Sequence, residues 1–207
     1  MKYVVPIRDR FLSMDLLSQE ERKKGVKVLR EWASVIGFAL IIAFVVRGFV
    51  LQQYYISGPS METTMFQNNR VLVNKLSYRL HDVHRGDVIV FDRVTTDGVE
   101  VQHDDLIKRV IGVAGDSVSI KDCVVFVNQK PVDEPYLDAL DTSQLNLDDR
   151  CRVPNLEEIV VEPNHLFVMG DNRPQSFDSR MFGTIDKELV AGRAFVIIWP
   201  LGALRWL

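Results

Sequence analysis

Two hydrophobic patterns divide the chain near residue 51. Residues 32–46 carry no charged side chain, and after Arg47 the apolar run resumes through Gly48–Leu51. Twenty helical residues rise about 30 Å, close to the hydrocarbon thickness of a bilayer. The pattern predicts a single membrane-spanning helix over residues 32–51, with Arg47 near the end, where its long side chain can reach the interface. A buried core helix is the alternative.

The residues before this run are basic. In residues 1–31, Lys and Arg outnumber Asp and Glu, so the positive-inside rule predicts a cytoplasmic N-terminus. The stretch LQQYYI after the run lacks the small-x-small site of a cleaved signal peptide. We therefore expect three segments: a basic cytoplasmic segment over 1–31, an anchor over 32–51, and an extracytoplasmic domain over 52–207.

Beyond the anchor, short runs rich in Val, Ile and Phe replace the helical pattern. Gly-Asp, Asn and Pro signals separate them, as is typical of strands in an antiparallel sandwich or barrel. The runs are RVLVNK, GDVIVFD, DLIKRVIG, DSVSIKD, VVFVNQ, EIVVEP, HLFVMGD and RAFVIIWP. They predict a mainly β domain in which the pairs that begin at Gly86, Gly115 and Gly170 form turns. Residues 117–160 are expected to form a smaller insertion or loop-rich region.

Composition narrows the possible functions. The chain has 207 residues, 47% of them apolar, and a formal net charge of −3. No Lys/Arg-rich patch shares a face with aromatic residues, so we do not expect a nucleic-acid partner. The four histidines lack the spacing of a zinc site, and we expect neither a metal nor a cofactor. Cys123 and Cys151 form either one disulfide or two buried thiols, and both alternatives stay open.

Three segments carry residues with catalytic potential. Ser60 stands in SGPSM (57–61), where a serine on its own indicates no more than a loop. Lys108 and Arg109 are adjacent in a strand-like run, so they point to opposite faces, and alternation does not tell which one points inward. Only the lysine can lose its proton and serve as a base. The polar run GDNRPQSFDSR (170–180) suits a rigid shell around a buried polar site.

In their order and spacing, these segments resemble bacterial type I signal peptidases. The matching motifs are SGPSM (57–61), RGDVIVF (85–91), KRVIGVAGD (108–116) and GDNRPQSFDSR (170–180), and the single anchor and the closing WPLGALRWL match as well. The resemblance implies a β-sheet catalytic domain at a cell membrane that uses a serine–lysine dyad. The implied substrates are secretory precursor proteins with small residues at the first and third positions before the cut, and membrane lipid is the other implied partner.

The resemblance also implies roles for individual residues. Ser60 corresponds to the nucleophile, Lys108 to the general base, and Ser176 to the hydroxyl that orients the lysine amine. The supporting residues are the ion pair of Asp178 and Arg180, the neighbouring Arg109, Met61 as a packing residue, and Gly58.

Two positions bear on the nucleophile loop. Thr63 replaces a proline that is common in the family, which gives up a fixed φ and is expected to loosen the loop. Gly58 stands where some relatives carry an oxyanion-binding hydroxyl. We therefore expect the oxyanion to be stabilised by backbone N–H groups, chiefly that of Ser60.

A lysine base needs an apolar environment. Free lysine has a pKa of about 10.4, so acting as a base near neutral pH requires a decrease of about three units. Burial beside Leu106 and Val110 favours this decrease, whereas an adjacent carboxylate opposes it. We therefore expect Asp104 and Asp105 to point away from Lys108. A carboxylate in contact with the ammonium group would argue against the lysine as base.

Other classes of function compete with this one. A catalytically silent relative that helps to assemble surface proteins is disfavoured because Ser60 and Lys108 are both present. A self-cleaving repressor with the same dyad needs a DNA-binding helical domain, which residues 1–51 do not supply. A peptidase dedicated to a few substrates stays open.

Overall fold

A computed structural model describes residues 27–44, 46–97, 100–137 and 150–207. The chain divides into two compact units, with the second comprising Phe49–Leu207. An apolar helix over Lys27–Val50, most of which lies in the first unit, has 24 residues and a mean hydropathy of 2.3. By length and composition it can cross a membrane. The helix begins earlier than the anchor predicted over 32–51, and most of the basic segment predicted over 1–31 lies outside the described residues.

The second unit consists mainly of strands, as the run pattern predicts. The strands are β1 Leu51–Tyr55, β2 Arg70–Asn74, β3 Val88–Asp97, β4 Glu100–Val113, β5 Ser117–Lys121, β6 Val124–Val127, β7 Lys130–Pro131, β8 Leu156–Val160, β9 His165–Met169, β10 Ile185–Asp186, β11 Val190–Trp199 and β12 Arg205–Trp206. Short α-helices cover Ser77–Leu80 and Ser179–Phe182, and single 3₁₀ turns cover Pro59–Met61, Pro135–Leu137, Lys187–Leu189 and Leu201–Ala203.

The strands form two antiparallel sheets. The larger has the order β1-β2-β11-β3-β4-β9-β10, with β12 paired to β11, and the smaller has the order β7-β6-β5-β8. All eight runs singled out in the sequence form strands, because alternating β-branched residues between turn signals are a local property of the chain. The small sheet occupies the region 117–160 that the sequence marks as an insertion.

One hydrophobic core cluster includes residues that directly follow Ser60. Val71 and Val73 of β2 pack with Met61 and Met65, all of them fully buried. Burying one such side chain stabilises the fold by about 1.5–3 kcal/mol. The segment that follows Ser60 is therefore fixed to the large sheet by two methionine side chains.

Cys123 and Cys151 form a disulfide, which decides between the two alternatives left open by the sequence. The bond joins residues 28 positions apart and closes a loop of the small sheet. Such a cross-link stabilises a fold by about 3–4 kcal/mol in the chain-entropy account. It also fixes the Cys151 carbonyl, which accepts a hydrogen bond from Arg180.

The three Gly-Asp pairs do not share one role. Gly86 and Gly115 have φ values of 89° and 88°, a region that favours glycine, and both stand at turns as predicted. Gly170 has no positive φ. A Cβ at this position would lie 2.3 Å from both the Ser176 Oγ and the Ser60 carbonyl oxygen, so this glycine serves a close approach between two segments.

Candidate active site

Ser60 lies in the 3₁₀ turn Pro59–Met61 that follows β1. Proline in the first turn suits its fixed φ, and Gly58 precedes the turn in an extended conformation, with φ −126° and ψ 163°. Nothing lies within 4 Å of a Cβ placed on Gly58, so this side of Ser60 is open. Met61 is fully buried, which leaves the half-buried serine at the boundary between core and solvent.

Lys108 of β4 points to the same place from the large sheet. It pairs with Ile89 across the β3–β4 ladder, and only 2% of its surface is exposed. Its Nζ lies 2.8 Å from the Ser60 Oγ and 3.0 Å from the Ile107 carbonyl oxygen. The geometry thus joins a hydroxyl and an amine that are 48 residues apart in the sequence.

The environment of this amine favours its neutral form. Burial lowers the pKa of Lys108 to about 8, although Asp178 and Asp171 act in the opposite direction. Among the described residues, no carboxylate lies within ion-pair distance of its Nζ. Asp104 and Asp105 are exposed. No described carboxylate therefore makes the contact that would argue against a lysine base.

Arg109 points to the opposite face of β4 and is also buried. Its guanidinium donates to both carboxylate oxygens of Asp171 at 2.9 and 2.7 Å, and to the Gly86 carbonyl at 3.0 Å. Asp171 has no exposed surface. The two adjacent residues are thus both buried, but only Arg109 is paired with a carboxylate. Lys108 has no ion pair among the described residues.

The loop that follows β9 forms the third wall of the site. The Asn172 N–H donates to the Ser60 carbonyl at 3.1 Å, which joins this loop to the turn that contains Ser60. Gly170 permits the contact, since any side chain there would collide with Ser60 and Ser176. Gly170, which the sequence predicts to begin a turn, is therefore part of the candidate site.

Asp178 and Arg180 brace the same wall. The Arg180 guanidinium donates to both oxygens of the carboxylate at 2.8 and 2.7 Å, and Asp178 also accepts the Gly170 N–H at 3.0 Å. Burial raises the pKa of Asp178, but the hydrogen bond and charge of Arg180 outweigh it and hold that pKa below its usual range. Asp178 is therefore ionised at neutral pH.

Ser176 is fully buried beside this pair. Its Oγ makes no well-formed hydrogen bond, although the hydroxyl lies close enough to Asp178 to contribute to that residue's lowered pKa. No hydrogen bond joins it to Lys108 in the described structure. Its role in orienting the lysine stays a prediction.

The sequence pattern missed four residues that surround the site. Thr63 Oγ1 donates to the Tyr136 carbonyl at 2.6 Å, and Arg173 forms an ion pair with Glu134. From the sequence, Thr63 is only a replacement for proline and Arg173 only part of a polar loop. The remaining two, Glu134 and Tyr136, fall in the predicted insertion. Arginine commonly binds a carboxylate through two parallel hydrogen bonds. The residue type of Arg173 is therefore the one signal that could have indicated an acidic partner.

The contact between Ser60 and Lys108 indicates by itself what kind of reaction the site can support. A serine hydroxyl against a buried lysine amine of lowered pKa can act as nucleophile and base in acyl transfer. Within the described residues, no group of three or more His, Cys, Asp or Glu side chains could hold a metal ion.

Comparison with known proteins identifies the family. Residues 29–199 match the family described as signal peptidase, peptidase S26. "Probable signal peptidase I-2" of Synechocystis is 38% identical over 165 residues, which cover 79% of this chain and 70% of that protein. "Signal peptidase IB" of Staphylococcus aureus is 35% identical over 188 residues, which cover 87% of this chain and 94% of that protein. The chain belongs to the signal peptidase S26 family, and it is a hydrolase of that family.

A solved structure also matches. The crystal structure of a signal peptidase I from Enterococcus faecalis is 26% identical in sequence, with a TM-score of 0.44. The match covers 55% of this chain and 97% of that one.

Proposed function

We propose that this chain is a membrane-anchored serine endopeptidase that cleaves signal peptides from secretory preproteins, with Ser60 as nucleophile and Lys108 as general base. The observation that carries the proposal is the 2.8 Å contact between the Ser60 Oγ and the Nζ of a buried lysine. Membership in the signal peptidase family supports the substrate class.

The first chemical step is transfer of the serine proton to the neutral lysine as Ser60 attacks the scissile carbonyl. The pKa of about 8 leaves roughly a tenth of the lysine neutral at pH 7. The resulting ammonium then gives its proton to the leaving amine, and water repeats the sequence to hydrolyse the acyl-enzyme.

The developing oxyanion needs donors that are already in place. Ser60 is the second residue of the 3₁₀ turn Pro59–Met61, and the first N–H groups of such a turn have no partner within it. The Ser60 N–H is therefore the main donor, since Gly58 offers no hydroxyl. The open space beside Gly58 leaves room for the substrate to approach.

Ser176 and the ion pair behind it orient the lysine. A neutral lysine that accepts the Ser60 proton has two N–H bonds, of which one points to the Ile107 carbonyl. The buried hydroxyl of Ser176, which lacks a well-formed bond of its own, is the acceptor for the other. Asp178 and Arg180 keep this hydroxyl in place.

The apolar helix Lys27–Val50 serves as the anchor, with the basic N-terminus in the cytoplasm and the catalytic unit on the outer side of the cell membrane. Membrane lipid is thus a partner, and the cleavage site is presented close to the bilayer surface. Small side chains at positions −1 and −3 are preferred because shallow pockets exclude larger ones.

The test is cleavage of a secretory precursor with an A-x-A site by the full-length chain in detergent, located by mass spectrometry. The parent should cut after the last alanine. Ser60→Ala should not cut, whereas the matched substitution Ser119→Ala, on a strand of the small sheet, should leave cleavage unchanged. Absence of cleavage by the parent in lipid as well as detergent would overturn the proposal and favour the silent assembly factor.

A further inference from the structure

A short segment that follows the small sheet contacts the loop that contains Ser60 and Thr63. We call Glu134–Tyr136 the strap; it leaves the sheet after β7 and begins the 3₁₀ turn Pro135–Leu137. The hydroxyl of Thr63 donates to the Tyr136 carbonyl at 2.6 Å. Thr63 lies three residues after Ser60, so the strap contacts the turn that carries the nucleophile.

The strap is held in place by buried charge. Arg173 donates to both carboxylate oxygens of Glu134, one of them at 2.9 Å, and its Nε donates to the Gly170 carbonyl at 3.1 Å. The two side chains are only 6% and 11% exposed. Separating Glu134 from Arg173 would leave a buried charge without a partner, which is costly. The ion pair therefore holds the strap in this position.

The strap also covers the residue beside the lysine. The Arg109 guanidinium lies 3.9 Å from the centroid of the Tyr136 ring, a stacked cation–π contact. Arg109 in turn donates to the Thr64 hydroxyl at 3.3 Å. The strap therefore contacts Arg109, the neighbour of Lys108, and Thr63, three residues after Ser60.

Several contacts hold the Ser60 turn and the residues that follow it. The Asn172 N–H binds the Ser60 carbonyl, the strap binds the Thr63 hydroxyl, and Arg205 donates to the Thr63 and Thr64 carbonyls. Catalysis by a nucleophile and a base depends on their separation, and a displacement of about 1 Å can cost roughly a hundredfold in rate. A single hydrogen bond at Thr63 is well placed to control that separation.

We propose that the strap is a positioning element for the nucleophile and that Thr63 is the residue through which it acts. The inference rests on the proposed function, since it assigns a role in the same reaction. It makes the connection that follows β7 part of the catalytic apparatus, although this connection supplies no reacting group.

The decisive experiment compares Thr63→Val with Thr63→Ser in the full-length chain, using steady-state cleavage of a precursor peptide. Valine keeps the shape and removes the hydroxyl, whereas serine keeps the hydroxyl. We expect Thr63→Val to lower kcat roughly fivefold, the factor that one ordinary hydrogen bond is worth, with KM unchanged. Thr63→Ser should restore most of the rate, and Thr184→Val, a matched change outside the site, should behave as the parent.

A second variant tests the strap from its other end. Glu134→Gln weakens its ion pair with Arg173, and combining it with Thr63→Val should lower kcat no further than the more damaging single change, because both act through one route. Should Glu134→Gln fail to fold, the valine–serine comparison decides alone.

The outcomes separate the two proposals. A parental kcat for Thr63→Val, or a loss confined to KM or Tm, overturns the positioning role while the peptidase activity stands. Equal losses in the valine and serine variants also overturn it, since the hydroxyl is then irrelevant. If the parent itself does not cleave, both proposals fall together.

Discussion

Replacing Lys108 with methionine should stabilise the protein near neutral pH while it abolishes cleavage. Burial lowers the lysine pKa from 10.5 to about 8. At about 1.4 kcal/mol per unit, this decrease corresponds to about 3 kcal/mol by which the folded state disfavours the charged lysine. Methionine has a similar shape and no charge, so it avoids this cost.

The sign of the pH dependence follows from the lowered pKa. Below pH 8 the lysine is charged in the folded and unfolded states alike, and the full cost is present. Between pH 8 and 10.5 the folded lysine is neutral while the unfolded one still binds a proton, so the parent gains stability as pH rises. The advantage of Lys108→Met in unfolding free energy should therefore shrink by about 3 kcal/mol across this window.

Urea unfolding of the full-length chain in detergent, at intervals from pH 7 to 11, measures this difference. Contributions from groups common to both proteins cancel, and the lost hydrogen bonds to Ser60 and the Ile107 carbonyl add an offset that does not vary with pH. Lys121→Met, at an exposed position of β5, is the matched control and should show no such slope. A flat difference between Lys108→Met and the parent would refute the reasoning, because the lysine would then titrate as it does in the unfolded chain.

Three further predictions concern the same unit. The kcat/KM for a precursor peptide should rise about tenfold per pH unit up to about pH 8 and then level off, since only neutral Lys108 accepts the proton; a profile flat from pH 6 to 9 would contradict this. Gly170→Ala should lower kcat by at least a hundredfold in the same assay, because its Cβ would lie 2.3 Å from the Ser60 carbonyl oxygen; parental kinetics would show that the two segments separate at no cost. Removing the Cys123–Cys151 bond with serine at both positions should lower the unfolding free energy by about 3–4 kcal/mol in urea titrations, and an unchanged midpoint would exclude a stabilising role.

The strands could be predicted from the sequence because their signal is local. β2 is rich in Val and β11 in Val and Ile, and both form within three residues of the bounds of the predicted runs. The anchor was harder to delimit, since an apolar run shows where a helix is buried in lipid and not where it begins. The helix extends back to Lys27, and Leu51 already belongs to β1.

The contacts around the site were beyond local patterns. Thr63 meets the Tyr136 carbonyl across 73 residues of sequence, and Arg109 meets Asp171 across 62. The absence of a proline at position 63 predicts a looser loop, which stays a prediction; the Thr63 hydroxyl also attaches this loop to the Tyr136 carbonyl. Such pairings depend on which strands become neighbours, and a single sequence does not contain that information in any one window.

Alternation in β4 left open which cation faces inward, and the structure shows why the question had no local answer. Both Lys108 and Arg109 are buried, so neither face of the strand is solvated at this point. What distinguishes them is the presence of a carboxylate opposite the arginine. Burial lowers the pKa of Lys108, which has no ion pair among the described residues, whereas buried Arg109 is paired with Asp171.

The charges around the lysine explain how it can lie near two buried carboxylates and still favour the neutral form. Asp171 and Asp178 both raise its pKa, but each is already paired with an arginine through two hydrogen bonds. With the lysine neutral, these two pairs sum to zero charge inside a region of low dielectric constant. Protonating the lysine adds one unpaired positive charge there, which burial opposes. For the reaction proposed above, the role of Arg109 and Arg180 would be indirect, because they pair with the carboxylates that would otherwise hold the lysine as an ammonium ion.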